Sequence, residues 1–212
     1  MRMDWLKILG PELAAKARPE TRSKYLKKNF LRQYLIVNFL NQVLGLVRAS
    51  GAKSILDIGC GEGLVDYFLL KALPGLKIVG GDQDEQALEV ARVLNPGAHY
   101  QEMDGRATGL ADASFDLVMA NEVIEHLADY PKVIQEAARV SRKYFLVSVP
   151  EWPFYQATNF LIGANWRTLG EHPDHVVSFT HPKLKAEFEG WFSGPQIWKR
   201  AYPWLIVLAE KS

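Results

Sequence analysis

The chain has very little of three things: cysteine, net charge and uninterrupted apolar sequence. Cys60 is the only cysteine among 212 residues, so no disulfide can form within the chain. The formal net charge is +1, which gives no broad attraction to nucleic acid or to a membrane surface. The most apolar run, residues 35–47, is broken by Asn38, Asn41 and Gln42. It therefore falls short of the roughly 20 apolar residues that span a bilayer.

Two further absences bear on location and organisation. The first residues, MRMDWLKILGPEL, lack the long apolar core and small-residue cleavage site that are typical of a signal peptide. The chain also contains no repeat and no low-complexity tract. At this length, with 48% hydrophobic residues, it suits one globular domain with an elaboration. We therefore expect a cytoplasmic protein with a reduced thiol.

From residue 53 onward, strand-like and helix-like segments alternate. Five strand-like runs are candidate strands: 54–58, 76–80, 99–103, 115–120 and 145–149. Candidate helices lie between them at 64–73, 85–94 and 131–141. This alternation predicts a parallel sheet covered by helices on both faces. Two further candidate strands, 196–201 and 204–209, flank Pro203 and are expected to pair antiparallel.

The flanking segments differ from this pattern. Residues 21–49 predict one long helix, because apolar side chains recur at steps of three and four. Residues 151–180 are rich in aromatic side chains and irregular, and a helix is expected at 182–192. We predict an N-terminal helical cap over residues 1–50 and a main domain over residues 51–212. The aromatic segment would be a lid inserted in that main domain.

The first strand candidate ends in a loop with three glycines, in the stretch ILDIGCGEGL. Gly59 and Gly61 permit a tight turn and remove the Cβ atoms that would contact a ligand. In open α/β sheets, ligands bind at the carboxyl ends of the strands. Asp82 stands at the end of the second strand candidate, where a carboxylate can accept both hydroxyls of a ribose. The loop and Asp82 together predict a nucleoside site.

The spacing of the glycines bears on which nucleoside is bound. Dinucleotide sites use G-x-G-x-x-G beneath a pyrophosphate, whereas this loop reads G-x-G-x-G with Glu62 inside it. A carboxylate repels a pyrophosphate but is tolerated beside the cationic end of a sulfonium amino acid. The spacing, and the lack of a substrate-binding half, argue against a nicotinamide dehydrogenase. A glycine turn without a ligand and a non-catalytic nucleoside-binding module remain open.

The motifs ILDIGCGEG, VGGDQDEQAL, YQEMDG, FDLVMANEVIEHL and FLVSVP, taken in series, resemble class I S-adenosylmethionine-dependent methyltransferases of the type 11 group. The resemblance covers residues 50–150 firmly and the C-terminal strand pair loosely. It implies a doubly wound, mostly parallel seven-stranded sheet with an antiparallel last strand. It also implies S-adenosylmethionine as cofactor. The cofactor-binding residues that it implies are Asp57, Gly59 and Gly61 around the loop, Asp82 on the ribose, Gln83 beside the adenine, Asp104 on the adenine amino group, Gly105 next to it, and Asn121 under the sulfonium.

The resemblance implies in-line transfer of a methyl group to an acceptor that the sequence does not identify. An oxygen or nitrogen acceptor also needs a base, and His126 in EVIEHL follows the fourth strand candidate. Alternatively, His126 only hydrogen-bonds the loop. The aromatic residues of the predicted lid could line a pocket for a small, apolar or ring-bearing acceptor, or form ordinary core. We expect a small-molecule acceptor rather than a nucleic acid.

A metal site is a further hypothesis. Glu122, Glu125 and His126 stand at i, i+3 and i+4, so a helix starting at Asn121 would place them on one side. The stretch GEHPDHVVSFTH could complete a mixed oxygen and nitrogen site with its histidines: His172, His175 and His181. This arrangement resembles metal-assisted O-methyltransferases, in which a divalent ion holds two acceptor oxygens. Against it, EVIEHL also occurs in relatives with no known metal, and the net charge indicates no RNA acceptor.

Overall fold

The computed structural model describes residues 18–19, 30–161 and 174–211. A short 3₁₀ turn, Ile124–His126, follows the fourth strand. The strands are β1 (Ser54–Ile58), β2 (Lys77–Asp82), β3 (His99–Glu102), β4 (Phe115–Asn121), β5 (Ser141–Pro150), β6 (Gln196–Ala201) and β7 (Trp204–Glu210). The helices are α1 (Phe30–Ser50), α2 (Leu64–Ala72), α3 (Glu85–Leu94), α4 (Pro131–Val140), α5 (Phe154–Leu161) and α6 (His181–Phe188).

All of these strands form one sheet, in the order β3-β2-β1-β4-β5-β7-β6. Strands β1 to β5 pair in parallel, whereas β7 runs antiparallel to both β5 and β6. The chain winds outward from the centre in both directions, and the strand order reverses between β1 and β4. The predicted doubly wound sheet with an antiparallel last strand is therefore confirmed.

Alternate residues of the central strands face opposite layers of helices. In β4, Leu117 and Met119 pack in a core cluster with α1 and α2, whereas Val118 and Ala120 pack in another with α4 and α6. All four side chains are fully buried. Burial on both faces explains why the strand reads as a continuous apolar run rather than an alternating one.

Helix α1 packs directly on the sheet. It buries Phe39, Val43 and Val47, and the ring of Phe39 lies 5.3 Å from that of Trp204 in β7. The predicted helix at 21–49 is therefore observed from residue 30, and residues 20–29 lie outside the described part of the chain. The division into a cap and a main domain stays a prediction. None of the described helices combines the length and apolarity needed to cross a membrane.

The segment after β5 is more regular than its composition predicts. Residues 154–161 form helix α5, which begins directly after Pro153. The fixed φ of proline suits a helix start, and the Thr158 hydroxyl donates to the Phe154 carbonyl inside the helix. The prediction of an irregular segment is wrong for this part. Residues 162–173 lie outside the described residues. Helix α6 ends at Phe188, four residues earlier than predicted.

Candidate functional site

A cleft opens where β1, β2, β3 and β4 end, at the point where the strand order reverses. Its volume is about 280 Å³, close to the lower end of ligand pockets. Parallel strands bring their carboxyl ends to one edge, so loops distant in sequence meet there. The cleft is lined by Ile58, Gly59, Asp82, Gln83, Met103, Asp104, Gly105, Glu122, Val123, His126 and Leu127. Five of the predicted cofactor residues are thus brought together: Gly59, Asp82, Gln83, Asp104 and Gly105.

The glycine loop has a backbone that other residues would strain. Gly59, Gly61 and Gly63 have φ values of +70°, +53° and +66°. A Cβ on Gly59 would also lie 2.5 Å from a methyl carbon of Val123. A Cβ on Gly61 would meet nothing within 4 Å, so that glycine is needed for its backbone conformation. At Gly59 the loop therefore packs directly against the side chain of Val123, just after β4.

Asp82 is fixed by two backbone donors. Its Oδ2 accepts the Gly61 N–H at 2.8 Å, and its Oδ1 accepts the Asp84 N–H at 3.0 Å. Each carboxylate oxygen keeps a second lone pair, so the pair can still accept two hydroxyl donors. This arrangement fits a ribose with its two adjacent hydroxyls. The hydrogen-bond acceptors at this edge of the cleft are thus compatible with the nucleoside that the sequence predicts.

Asp104 carries a partner that sequence reasoning missed. The backbone N–H of Arg106 donates to Asp104 Oδ1 at 2.9 Å, and its guanidinium spans both oxygens at 2.8–3.1 Å. Arg106 also reaches Asp129 at 3.4 Å. These bonds lower the pKa of Asp104, so the carboxylate stays ionised at the cleft. The D-x-R spacing was the signal that could have revealed the pair.

Three predicted cofactor residues, Asp57, Gly61 and Asn121, are absent from the lining of the cleft. Asp57 is 3% exposed beneath the glycine loop. Asn121 ends β4, where its side-chain oxygen accepts the Ser148 hydroxyl at 3.2 Å. Gly61, also absent from the lining, contributes through its N–H to Asp82. A direct contact of Asp57 or Asn121 with a cofactor stays a prediction.

A buried polar network supports the loop from below. Asp66 in α2 is fully buried and accepts the Tyr100 hydroxyl at 2.9 Å. Asn95 donates to the same hydroxyl and to the Gly63 carbonyl. Burial raises the pKa of Asp66 to about 6, partly offset by the Tyr100 bond, and burial beside Asp66 raises the pKa of Asp57 well above its usual range. The Asp57 carboxyl is therefore easier to protonate than an exposed one.

His126 lies where the cleft meets a second group of residues. Its Nδ1 is 3.0 Å from the Asp174 carbonyl oxygen, and because a carbonyl only accepts, Nδ1 must carry the proton. Nε2 is then the basic nitrogen of the neutral ring. The His126 and His175 rings lie 4.9 Å apart, and the rings of His175 and Tyr155 lie 5.4 Å apart. The backbone N–H groups of Val176 and Val177 both donate to the Glu125 carbonyl, which holds the His175 segment in place.

Glu125, His126 and His175 form a compact group. One ligand atom from each lies within 4.8 Å of the others. Glu125 is 1% exposed, whereas His126 is exposed. On the far side of this group, a small cavity of roughly 10 Å³ is lined by Glu125, Pro150, Trp152, Tyr155, Gln156, His175, Val177 and Ser178. The group therefore separates the cleft from the aromatic segment.

The metal hypothesis assumed a helix starting at Asn121, and the structure forms a strand end and a 3₁₀ turn there instead. Asn121 is the last residue of β4, and Glu122 has a left-handed φ of +56°. The short 3₁₀ turn that comes next does not place the side chains of Glu122 and Glu125 on one face. Glu122 lines the cleft, whereas Glu125 is buried. His181 is also separate, since its ring packs 4.3 Å from Trp198. His172 lies outside the described residues.

Comparison with known proteins finds methyltransferases similar to the central part of the chain. Residues 56–144 match the family described as "Methyltransferase domain". Trans-aconitate 2-methyltransferase from Azoarcus sp. is 32% identical over 97 residues, which cover 46% of this chain and 38% of that protein. Ubiquinone biosynthesis O-methyltransferase from Nitrosomonas europaea is 28% identical over 130 residues, covering 59% and 51%. The chain thus spans about two fifths to one half of these relatives.

The solved structures extend the likeness in fold to nearly the whole chain. Magnesium protoporphyrin IX methyltransferase from Synechocystis PCC 6803, with S-adenosylhomocysteine bound, superposes with a TM-score of 0.67. The match covers 98% of this chain and 93% of that protein at 17% identity. At this identity the likeness concerns the fold.

Proposed function

Because the chain belongs to the class I S-adenosylmethionine-dependent methyltransferases, we propose that it transfers a methyl group to the oxygen or nitrogen of a small-molecule acceptor. The observation that carries the proposal is the position of His126. It lines the cleft beside the strand ends and contacts His175, which lines the small cavity on the aromatic side. A cofactor site and an acceptor site would meet at this ring.

Each residue of the cleft would bind a different part of the cofactor. Asp82 would take the ribose hydroxyls, with both of its oxygens already oriented by backbone N–H groups. Gln83 and Gly105 would flank the adenine, and Asp104 would accept from its amino group. When bound, S-adenosylmethionine supplies an electrophilic methyl on a sulfonium. The protein then has to align the acceptor and exclude water.

His126 is the group best placed to remove the acceptor proton. Its Nδ1–H donates to the Asp174 carbonyl, so in the neutral ring Nε2 carries the lone pair that can accept a proton. The acceptor would lie between this nitrogen and the aromatic residues near 152–156. Because the cavity there is about the size of one water molecule, side chains of this segment must move to admit an acceptor. The aromatic segment as a lid is therefore part of the proposal.

The test has two stages. Calorimetry with S-adenosylmethionine, S-adenosylhomocysteine and NAD should show binding of the first two alone. Incubation with a panel of small hydroxyl- and amine-bearing metabolites should then release S-adenosylhomocysteine, measured by mass spectrometry together with the methylated product. Tight NAD binding would support the dehydrogenase instead. Cofactor binding without turnover on any acceptor class would support a non-catalytic module.

A second candidate, metal-assisted O-methyl transfer, is favoured by the Glu125–His126–His175 group. Ligand atoms on one divalent ion lie at most about 4.4 Å apart, twice a bond of roughly 2.2 Å. The observed limit of 4.8 Å therefore needs only a small rotamer adjustment. The Nδ1–H bond of His126 to a backbone carbonyl is the usual outer contact of a metal-ligating imidazole. In this candidate His126 Nε2 binds the ion and is not the base.

This candidate is tested with the metal alone. Chelator-stripped protein should bind one Mn²⁺ in a calorimetric titration, and Glu125→Gln should weaken that binding at least tenfold. Glu122→Gln is the matched control, since Glu122 lies outside the group and should leave Mn²⁺ affinity within about twofold. Wild-type protein that takes up no Mn²⁺, and whose turnover ignores chelator, would leave His126 as the base.

A further inference from the structure

Arg18 joins two loops of the cofactor cleft from outside it. Its backbone N–H donates to Glu62 Oε2 at 3.1 Å, and its Nε donates to Glu62 Oε1 at 2.9 Å. Its Nη2 donates to Asp84 Oδ2 at 2.9 Å. Glu62 belongs to the glycine loop after β1, and Asp84 caps α3 by accepting the Ala87 N–H. One side chain from the N-terminal part of the chain thus holds both loops.

These contacts run parallel to an inner bridge between the same loops. On the cleft side, Asp82 accepts the Gly61 N–H, and Gly61 directly precedes Glu62. On the outer side, the guanidinium of Arg18 closes a second link from Glu62 to Asp84. The distance between the glycine loop and the β2–α3 turn is therefore fixed twice. That distance sets where the ribose site of Asp82 lies relative to the floor of the cleft.

The contacts of Arg18 with Glu62 and Asp84 are electrostatically favourable. The Glu62 side chain is 5% exposed, and burial of a carboxylate is costly unless a partner compensates it. Arg18 supplies one charge-assisted bond and one backbone donor to it. Hydrogen bonding to Glu62 is the largest contribution that raises the pKa of Arg18, and the bond from Arg18 is the largest that lowers the pKa of Asp84.

We propose that Arg18 is a positioning residue for S-adenosylmethionine. It holds the glycine loop and the β2–α3 turn at the separation that the cofactor requires. This inference rests on the proposed function, since it assumes that the cleft binds this cofactor. Linkage then makes the effect reciprocal: cofactor binding must strengthen the docking of Arg18 by the same factor as Arg18 strengthens cofactor binding.

The first measurement is S-adenosylhomocysteine affinity by calorimetry. Arg18→Gln should raise the dissociation constant about fivefold, the size expected for loss of partly exposed ion pairs. Arg142→Gln is the matched control: its partly exposed pair with Asp116 lies at the amino end of the sheet, away from the cleft. It should change the affinity by less than twofold. In a Glu62→Gln background, the Arg18→Gln substitution should have a smaller effect than in the wild type.

The second measurement is hydrogen exchange at the Arg18 amide, which donates to Glu62. Saturating S-adenosylhomocysteine should slow it about fivefold in the wild type, whereas a purely structural contact would be indifferent to the ligand. Equal affinities for wild type and Arg18→Gln, or an exchange rate that ignores the ligand, would overturn the inference while leaving the proposed function intact. A wild type that binds no S-adenosylhomocysteine would overturn both.

Discussion

The two sides of the cleft are held in different ways. On the cofactor side, Asp82 is fixed by backbone N–H groups of Gly61 and Asp84, which follow directly from the loop conformations. On the acceptor side, His126 meets His175 from a segment 49 residues further along, secured by two N–H groups on the Glu125 carbonyl. The side with Asp82 thus rests on backbone N–H bonds between two loops, with Gly61 and Asp82 21 residues apart. The side with His126 rests on contacts between segments 49 residues apart.

This difference indicates where the protein can vary without losing its fold. The side with Asp82 rests on backbone N–H bonds, on glycines with positive φ and on the buried Asp66–Tyr100–Asn95 network beneath the loop. The acceptor side instead depends on particular side chains, on Tyr155 and on a helix that follows Pro153. If the acceptor binds on the side of His126 and Tyr155 as proposed, a change of acceptor would need new side chains on that side alone. Single substitutions on the two sides should therefore affect different measurements.

The largest effect is expected from His126. If its Nε2 takes the acceptor proton, His126→Gln should lower kcat by about a hundredfold or more, the usual contribution of a general base. The affinity for S-adenosylhomocysteine should stay within about twofold, because His126 belongs to the acceptor side. Steady-state kinetics with the identified acceptor, together with calorimetry, separate the two quantities.

His181→Gln is the control for that prediction, because His181 packs on Trp198 away from the cleft. It should leave kcat unchanged. An equal loss of kcat in both variants would point to a general effect on the fold. A His126→Gln enzyme with full kcat would show that the ring only supports the loop.

Asp82 should give the next largest effect, and it should appear in the affinity for the cofactor rather than in kcat. Charge-assisted hydrogen bonds contribute about 1.5–3 kcal/mol each, so Asp82→Ala should weaken S-adenosylmethionine binding at least tenfold. The control is Asp112→Ala, an exposed carboxylate paired with Arg139 at the surface. Calorimetry should find its affinity equal to that of the wild type. Unchanged affinity in Asp82→Ala would show that the ribose is bound elsewhere.

The same contrast explains what the sequence could predict. The bounds of β1, α3 and β6 were predicted to the residue, since apolar runs and turn residues depend on neighbours along the chain. Gly59 and Asp82 followed from the rule that ligands bind at the carboxyl ends of parallel strands, whereas Gln83, Asp104 and Gly105 were implied by the resemblance of the motifs to methyltransferases. The Glu125–His126–His175 group was only partly foreseen, because a left-handed Glu122 replaces the expected helix. Arg18 and Arg106 were missed, because no periodicity marks an ion pair between distant segments.

The smallest expected effect concerns stability rather than ligands, and it tests whether the cofactor side is as rigid as its bonds suggest. Asp66 supports the glycine loop from below, and burial raises its pKa from 3.8 to about 6. A folded-state pKa above the unfolded value means that the folded protein binds more protons between these values. The contribution of Asp66 to the free energy of unfolding is therefore full below pH 4 and declines as the pH rises toward 6 and beyond.

Replacing Asp66 by Asn removes this titration while keeping an oxygen that can accept the Tyr100 hydroxyl. Between pH 5 and 8 the wild type should lose about 1 kcal/mol more stability than Asp66→Asn, as measured by urea unfolding at each pH. Glu136→Gln, measured in the same way between about pH 5 and 2, provides a control of opposite sign. Hydrogen bonding to Arg139 lowers the pKa of Glu136 to about 2, so its contribution is lost as the pH falls from about 4.5 toward 2. If the free energy of unfolding changes with pH in the same way in wild type and Asp66→Asn, Asp66 stays charged in the folded protein. The glycine loop would then have to open enough for water to reach its carboxylate.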